Sequence, residues 1–331
     1  MQSTVLSIII PVYNAEKYIE QCINSIKMCN SAEIEVLLID DGSRDRSKQI
    51  ALECIGKDTR FQLISQENGG VSKARNAGIH IAQGEYITFL DADDYYKEHA
   101  LDIILKDIAE ISADYIAYAY TTLFADGAVK KEKFAIQGMK TSDHLVCDYI
   151  MYASSRFNMC WGKIFRRKKI LDYRIIFPEG VAIGEDLVFV QDYYKYAQTV
   201  MVSNQEIIMY RQNAESAMHR YSIQDRIRYT RPLFEYSMQV VGEKNEKRFS
   251  QAVFVYYFRV MTNLCREFAT GREGRRNIRQ IYKDPIVKRI MQELRISMIP
   301  GYKIPEYLLM RTESVGLSAL YFCIKEKVSR K

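Results

Sequence analysis

Four short apolar runs, each cut off by a turn rich in carboxylates and amides, constrain what the front of this chain can become. "VLSIII" (5–10) stops at Pro11, "IEVLLID" (34–40) runs into "DGS", "FQLIS" (61–65) into "ENGG", and "EYITFLD" (85–91) into "ADD". A solidly apolar run of this length reads as a strand buried on both faces. Helical patterns lie between the runs. One is expected to be capped by Asn14 and carries Tyr18, Ile19, Cys22, Ile23 and Ile26 on one face. Ser43 is expected to cap the next, and "VSKARNAGIHIA" follows the third strand. Strand and helix alternating in this way predict a right-handed, mostly parallel, Rossmann-like α/β sheet with helices on both faces. Ligands of such sheets bind at the carboxyl ends of the strands, and all four polar turns fall there.

Beyond the fourth run the pattern loosens. "ADYIAYAYTTLF" (113–124) adds a strand, while "CWGKIFRRKKI" (160–170) and "GEDLVFVQDYYKYA" (184–197) read as loop-to-helix segments. After residue 220 the periodicity is helical, with Val253, Tyr256, Tyr257, Val260 and Leu264 forming an apolar stripe, and "GREGRRNIRQ" (271–280) is strongly basic. Charge divides at the same place: residues 1–219 carry a net −6 and residues 220–331 a net +12. Two domains are therefore expected, 1–219 binding the ligand and 220–331 a basic, mainly helical region.

Seven cysteines without a C-x-x-C pair fit free thiols in a reducing compartment. The start of the chain lacks the marks of a secretory signal. No uncharged apolar run reaches the roughly 18 residues of a spanning helix. The expected place is the cytoplasm, peripheral to the inner face of the cell membrane. Nucleic acid is not an expected partner, because the charge is modest and no recognition motif is present.

Each turn admits a structural role and a chemical one. The aspartates of "DADD" (91–94) can cap a helix or close an Asx-turn. They can also hold Mg²⁺ or Mn²⁺, hard ions that take carboxylate oxygens and keep positions open for water and phosphate. In "LLIDDGS" one aspartate can accept from a base N–H or a ribose hydroxyl while the other caps the next helix. The Gly-Gly turn of "ENGGVSKARNAG" opens a helix, a geometry suited to an anion, and Arg75 adds a guanidinium able to grip phosphate.

Taken in order, "PVYN", "DDGS", "NGGVSKARNAGI", "FLDADD", "CWGKIFRR" and "GEDLVF" resemble the family 2 glycosyltransferases of GT-A fold, over roughly residues 5 to 218, and "YRQNAESAMH" (210–219) resembles the family's closing segment. The resemblance implies a nucleotide-diphosphate-sugar donor, read as a UDP-sugar, a divalent cation (Mn²⁺ or Mg²⁺), and transfer with inversion. It implies that Pro11 and Tyr13 pack at the nucleobase and that Asp41 reads its N–H edge. Asn68 and Arg75 serve the donor, Asp91 faces the ribose or a metal-bound water, and Asp93 ligates the metal. Asp186 is the implied general base, with Glu185 beside it. Trp161 forms either an acceptor-side wall or core packing. Arg211, Ser216 and His219 close over the diphosphate. The chain departs from the family at Gly162, where asparagine is commoner.

The chemistry is coherent in itself. A carboxylate that takes the proton of an attacking hydroxyl contributes about 10²- to 10⁴-fold, and a cation stabilises the departing diphosphate. A base on one face and a leaving group on the other require in-line displacement. Two rival readings remain. A catalytically silent sugar-nucleotide-binding or scaffold protein would share the site. A nucleotidyltransferase would more naturally carry a Gly-rich, Lys-containing loop after the first strand. The basic C-terminal region is a solvated face, an oligomer contact, or a surface for anionic lipid or a glycan or lipid-linked acceptor, and "LSALYFCIKEKVSRK" mixes apolar and basic residues as an interfacial helix does.

Overall fold

The computed structural model describes residues 4–134, 136–141, 157–181, 183–212, 221–243, 247–270, 273–299 and 301–329. Two compact units emerge: Met1–Leu145 with Ser154–Ser216, and Val146–Ala153 with Ala217–Lys331.

In the first unit the chain runs β1 (Leu6–Val12), α1 (Ile19–Lys27), β2 (Ile34–Asp40), α2 (Ser47–Ile55), β3 (Phe61–Ser65), α3 (Val71–Ile81) and β4 (Tyr86–Phe89). It continues through β5 (Tyr95–Tyr96), α4 (Ala100–Glu110), β6 (Tyr115–Phe124), β7 (Val129–Glu132) and β8 (Gly138–Thr141). Then come β9 (Lys163–Arg166), α5 (Arg167–Asp172), α6 (Glu185–Tyr196) and β10 (Thr199–Gln212). The sheet order is β3-β2-β1-β4-β9-β6-β10-β5, with β7 on β6 and β8 on β10. The four strands anticipated from the sequence pair in parallel, Ile9 lying between Leu37 and Phe89. β9 is antiparallel to both neighbours, and β10 runs parallel to β6.

Both faces of β1 are covered, which is why it can be apolar throughout. Ile8 and Ile10 join the core built with Ile19, Cys22, Ile23 and Ile26 of α1 and Leu101 and Ile104 of α4. On the other face α3 comes so close that a Cβ on Gly78 would lie 2.4 Å from Ile9 Cγ2. A second, aromatic cluster supports α6: Phe177 stacks on Phe189 at 4.0 Å, and both meet Phe89 edge-on.

Several expectations are corrected. Asn14 does not cap α1; it lies five residues before the helix starts, and its side chain accepts from Arg44 N at 2.9 Å. Ser43 does not cap α2, because the chain turns once more and Asp45 Oδ1 accepts from Ser47 N at 3.0 Å. The stretch expected as loop-to-helix around Lys163 is a central strand before it becomes α5. Its apolar core is only Ile164 and Phe165, too short a run to signal a strand. The long β10 is interrupted by register shifts between Ser203 and Ile208, which break the alternation that would mark it.

The second unit is helical among its described residues: α7 (Ile223–Glu243), α8 (Lys247–Phe268), α9 (Gly274–Lys283), α10 (Pro285–Glu293), α11 (Ile304–Arg311) and α12 (Val315–Ser329). α8 is its axis. Val253, Phe254, Tyr257, Phe258, Met261, Leu264 and Cys265 are buried round most of its circumference, and α7, α9, α10 and α12 all pack on it. Asp284 caps α10, accepting from Ile286 N at 2.9 Å ahead of Pro285 in the first turn. No described helix is long and apolar enough to cross a membrane.

One buried carboxylate fixes how the chain enters β4. Glu35 on β2 accepts from Ser7 Oγ (2.5 Å), Gln83 N (2.5 Å) and Gly84 N (3.1 Å). That requires backbone to lie on backbone at Gly84, where a Cβ would stand 2.6 Å from Ser7 N. Gly84→Ala is therefore expected to destabilise the protein by about 1–3 kcal/mol, read as a lowered denaturation midpoint with an unchanged m-value. An alanine variant as stable as wild type would show that the contact relaxes freely.

Candidate active site

The turns after β2 and β3 close on each other through Asp41. Its Oδ1 accepts from Gln66 Nε2 (2.7 Å) and Gly69 N (2.9 Å), and its Oδ2 from Gly70 N (2.7 Å). Gly70 precedes α3 with φ +87°, which a side chain would strain. The helix start expected to receive an anion thus holds the chain's own carboxylate. Asn68 adds a bond from Nδ2 to the Asp41 carbonyl at 2.9 Å. Asp40 takes the structural role open to either aspartate, accepting from Ser43 N (3.1 Å) and Ser65 Oγ (3.2 Å).

Arg75, on the first turns of α3, is the centre of the site. Its side chain is 3% exposed and meets three carboxylates: Asp91 at 2.8 Å through Nη2, Glu185 at 3.2 Å and Asp186 at 2.6 Å through Nη1. Phe177 lies under the guanidinium, its ring centroid 5.2 Å away. Burial opposes the positive charge, yet Asp186, Cys160, Asp91 and Glu185 together hold the Arg75 pKa well above its usual value. Glu185 and Asp186 open α6, where the helix end favours negative charge. Asp186 Oδ2 also accepts from Cys160 N at 3.3 Å. Burial raises the Asp186 pKa, with Asp91 adding to the shift and Arg75 opposing it. Burial and the Asp186 charge push Glu185 up to about 7, again against Arg75.

The "DADD" turn is held from the end of β10. Arg211 N donates to Asp94 Oδ1 (2.7 Å) and Arg211 Nε to the Asp93 carbonyl (2.8 Å). Its Nη2 reaches Gln21 Oε1, and the guanidinium lies over the rings of Tyr18 and Tyr95. Asp94 is fully buried, and burial, then Asp93 and Asp91, pushes its carboxyl well up; its Oδ2 has no hydrogen-bond partner. Asp94 is thus a structural acid, while Asp93 is half-buried. Among the described residues no three carboxylate, imidazole or thiol groups are arranged to hold a metal by themselves. The donor chemistry of Asp91 and Asp93, carboxylate oxygens beside an unsatisfied Asp94 oxygen, suits a hard divalent cation that draws its remaining ligands from water and phosphate.

The remaining candidates divide. Pro11 is half-buried and Tyr13 is 49% exposed at the end of β1, leaving its ring open to a flat ligand. Trp161 is 3% exposed, stacked on Tyr210 at 5.0 Å and edge-on to Tyr120 at 4.7 Å, which places it in the packing. Ser216 and His219 lie outside the described residues. Sequence reasoning missed Gln21, Tyr18 and Tyr95, for which no local signal exists, and Lys163, whose signal is a lone cation inside a strand. Lys163 is fully buried, its Nζ donates to the Trp161 carbonyl at 3.2 Å, and burial lowers its pKa to about 7.

The mixed α/β sheet, with carboxylates gathered at its strand ends, has the GT-A fold, as its likeness to solved structures shows. The sequence pattern of glycosyl transferase family 2 matches residues 7–173, and the chain belongs to that family. It is 31% identical over 223 residues to the uncharacterized glycosyltransferase EpsJ of Bacillus subtilis, a match taking in 64% of this chain and 62% of EpsJ. The chain thus spans about three fifths of that relative. In structure it is similar to residues 1–349 of Staphylococcus aureus TarS solved with UDP-GlcNAc (TM-score 0.69, 21% identity, 98% of this chain and 91% of that one). It is also similar to the mannosyltransferase PcManGT of Pyrobaculum calidifontis solved with GDP-Man and Mn²⁺ (TM-score 0.55, 13% identity, 100% of this chain and 89% of that one).

The raised Glu185 has a measurable sign. The folded protein holds this proton more tightly than the unfolded chain, whose glutamate titrates near 4.5, so Glu185 costs stability as pH rises from there through about 7. Melting temperature is expected to fall more steeply across that window in wild type than in Glu185→Gln, and the variant should be the more stable of the two above neutrality. Parallel curves would show that Glu185 does not titrate there.

Proposed function

We propose that this protein transfers a sugar from a nucleotide-diphosphate-sugar, a UDP-sugar in our reading, to a hydroxyl of a glycan or lipid-linked acceptor with inversion at the anomeric carbon. It acts in the cytoplasm at the inner face of the cell membrane. The observation that carries the reading is that one guanidinium, Arg75, holds both Asp186 and Asp91. The candidate base and the first residue of the "DADD" turn are thereby kept within the span of a single side chain.

Asp186 is the general base in this reading. As the acceptor oxygen forms its bond to the anomeric carbon, the hydroxyl proton passes to an Asp186 carboxylate oxygen, and the bond to the diphosphate breaks on the opposite side. Burial raises the Asp186 pKa, which strengthens it as a proton acceptor, and Arg75 opposes that rise. In this reading Tyr13 packs on the nucleobase and Asp41 accepts from its N–H edge, with Pro11 and Asn68 shaping that end. Asp93 would hold Mn²⁺ or Mg²⁺, which when bound supplies positive charge to the departing diphosphate, and Asp91 would face the ribose or a metal-bound water. Arg211 presents the turn that carries them, and Ser216 and His219 are the further candidates for the diphosphate. The mixture of UDP-GlcNAc and GDP-Man among the solved neighbours supports a nucleotide-sugar donor more strongly than it supports any one base.

Two experiments test the roles separately. Asp186→Asn should lower kcat by at least about 10²-fold while leaving donor affinity, measured calorimetrically, nearly unchanged. Loss of donor binding with the rate preserved at saturation would reassign Asp186. Asp93→Asn should abolish most transfer without lowering thermal stability, and wild-type activity should disappear in excess chelator and return with Mn²⁺ or Mg²⁺. Full activity in chelator would sink the metal assignment.

A further inference from the structure

The positive charge of the helical unit is not evenly spread. On α9, Arg275, Arg279 and Lys283 recur every four residues, all exposed, and no ion pair among the described residues reaches them. Ile278, Ile281 and Tyr282 form the buried side of the same helix. α12 has the complementary oddity. Ser318, Ala319 and Phe322 are buried, whereas Leu317, Leu320 and Ile324 are 61%, 61% and 54% exposed along one face.

The two helices are neighbours. They pack on each other and both pack on α8, and Tyr282 Oη donates to Ser318 Oγ at 2.6 Å across their contact. The exposed apolar stripe of α12 and the exposed cationic stripe of α9 thus lie on two helices in direct contact.

We propose that this outer face of α9 and α12 docks on a lipid surface rich in anionic headgroups. Leu317, Leu320 and Ile324 enter the acyl boundary, and Arg275, Arg279 and Lys283 meet the headgroups. Apolar side chains flanked by cations are what an interfacial element requires. A second copy of the chain fits less well. The three apolar side chains expose roughly 300 Å² against the ~800 Å² per partner of a standard stable interface. A two-fold contact would also bring the same cations face to face. The surface rests on the membrane part of the proposed function and is independent of its chemistry.

The test uses the full chain and vesicles of phosphatidylglycerol with phosphatidylcholine, or of phosphatidylcholine alone, with UDP-sugar affinity and helical melting measured on the same samples. Wild type should sediment with the anionic vesicles at low salt and be released at high salt, where the Debye length falls to about 3 Å at 1 M. Leu317→Asp/Leu320→Asp/Ile324→Asp and Arg275→Glu/Arg279→Glu/Lys283→Glu should each weaken binding at least tenfold with donor affinity intact. If the triple aspartate variant melts early, Leu320→Asp alone is read in its place. Wild type that ignores anionic vesicles overturns the proposal, and so does binding that survives both sets of substitutions. Concentration-dependent self-association that the aspartate substitutions abolish, in the absence of lipid binding, would assign the face to a second copy. Loss of donor affinity in wild type would count against the proposed function and leave the lipid result standing.

Discussion

A single buried guanidinium organises the first unit. Taking a charge of this size out of water costs several kcal/mol, and Arg75 recovers that cost by meeting Asp91, Glu185 and Asp186 at once. The three acids come from the end of β4 and the start of α6, so the ion cluster ties three elements together at the sheet's carboxyl edge. Three carboxylates around one cation would leave an excess of negative charge. The upward shift of Glu185 lets one of them keep its proton near neutrality, and the repulsion is relieved without a further cation.

The aromatic cluster gives that electrostatic centre a floor. Phe177 lies beneath Arg75 and stacks on Phe189 of α6, just beyond the helix's first turn. Asn76 fixes the backbone of Phe177 from α3 through paired bonds of 2.8 and 2.9 Å. Packing and ion pairing therefore act on the same two helices, and each limits the freedom of the other. On the far side of the "DADD" turn Arg211 has a comparable position, with an aromatic ring on either hand and backbone and side-chain bonds to Asp93 and Asp94.

What could be read from the chain beforehand was whatever is local. The strands β1 to β4 and their polar turns announced themselves because a buried strand and the turn after it are contiguous. Asp41 was singled out for the same reason, although its hold on Gly69 and Gly70 was not. The partners of Arg75 lie 16, 110 and 111 positions away, and no periodicity joins residues at such separations. β9 escaped notice because two apolar residues beside a lysine carry almost no strand signal, and only the finished sheet makes burying Lys163 tolerable. The stripe on α12 was partly visible as a mixture of apolar and basic residues. Which of them face outward depended on where α8 and α9 lie.

Asp41 and Arg75 are bound to the same short rod. Gly70, whose N–H the Asp41 carboxylate holds, and Arg75 are five residues apart at the start of α3, about 7.5 Å of helical rise. The separation between the Asp41 anchor and the Arg75 ion cluster is thus gauged by a helix and not by a loop. Surface loops can lengthen or shorten without touching that gauge. A single residue inserted between positions 70 and 75 would swing the guanidinium by about 100° around the helix axis and strand all three acids, so length variation among relatives of this chain should be excluded from those five positions.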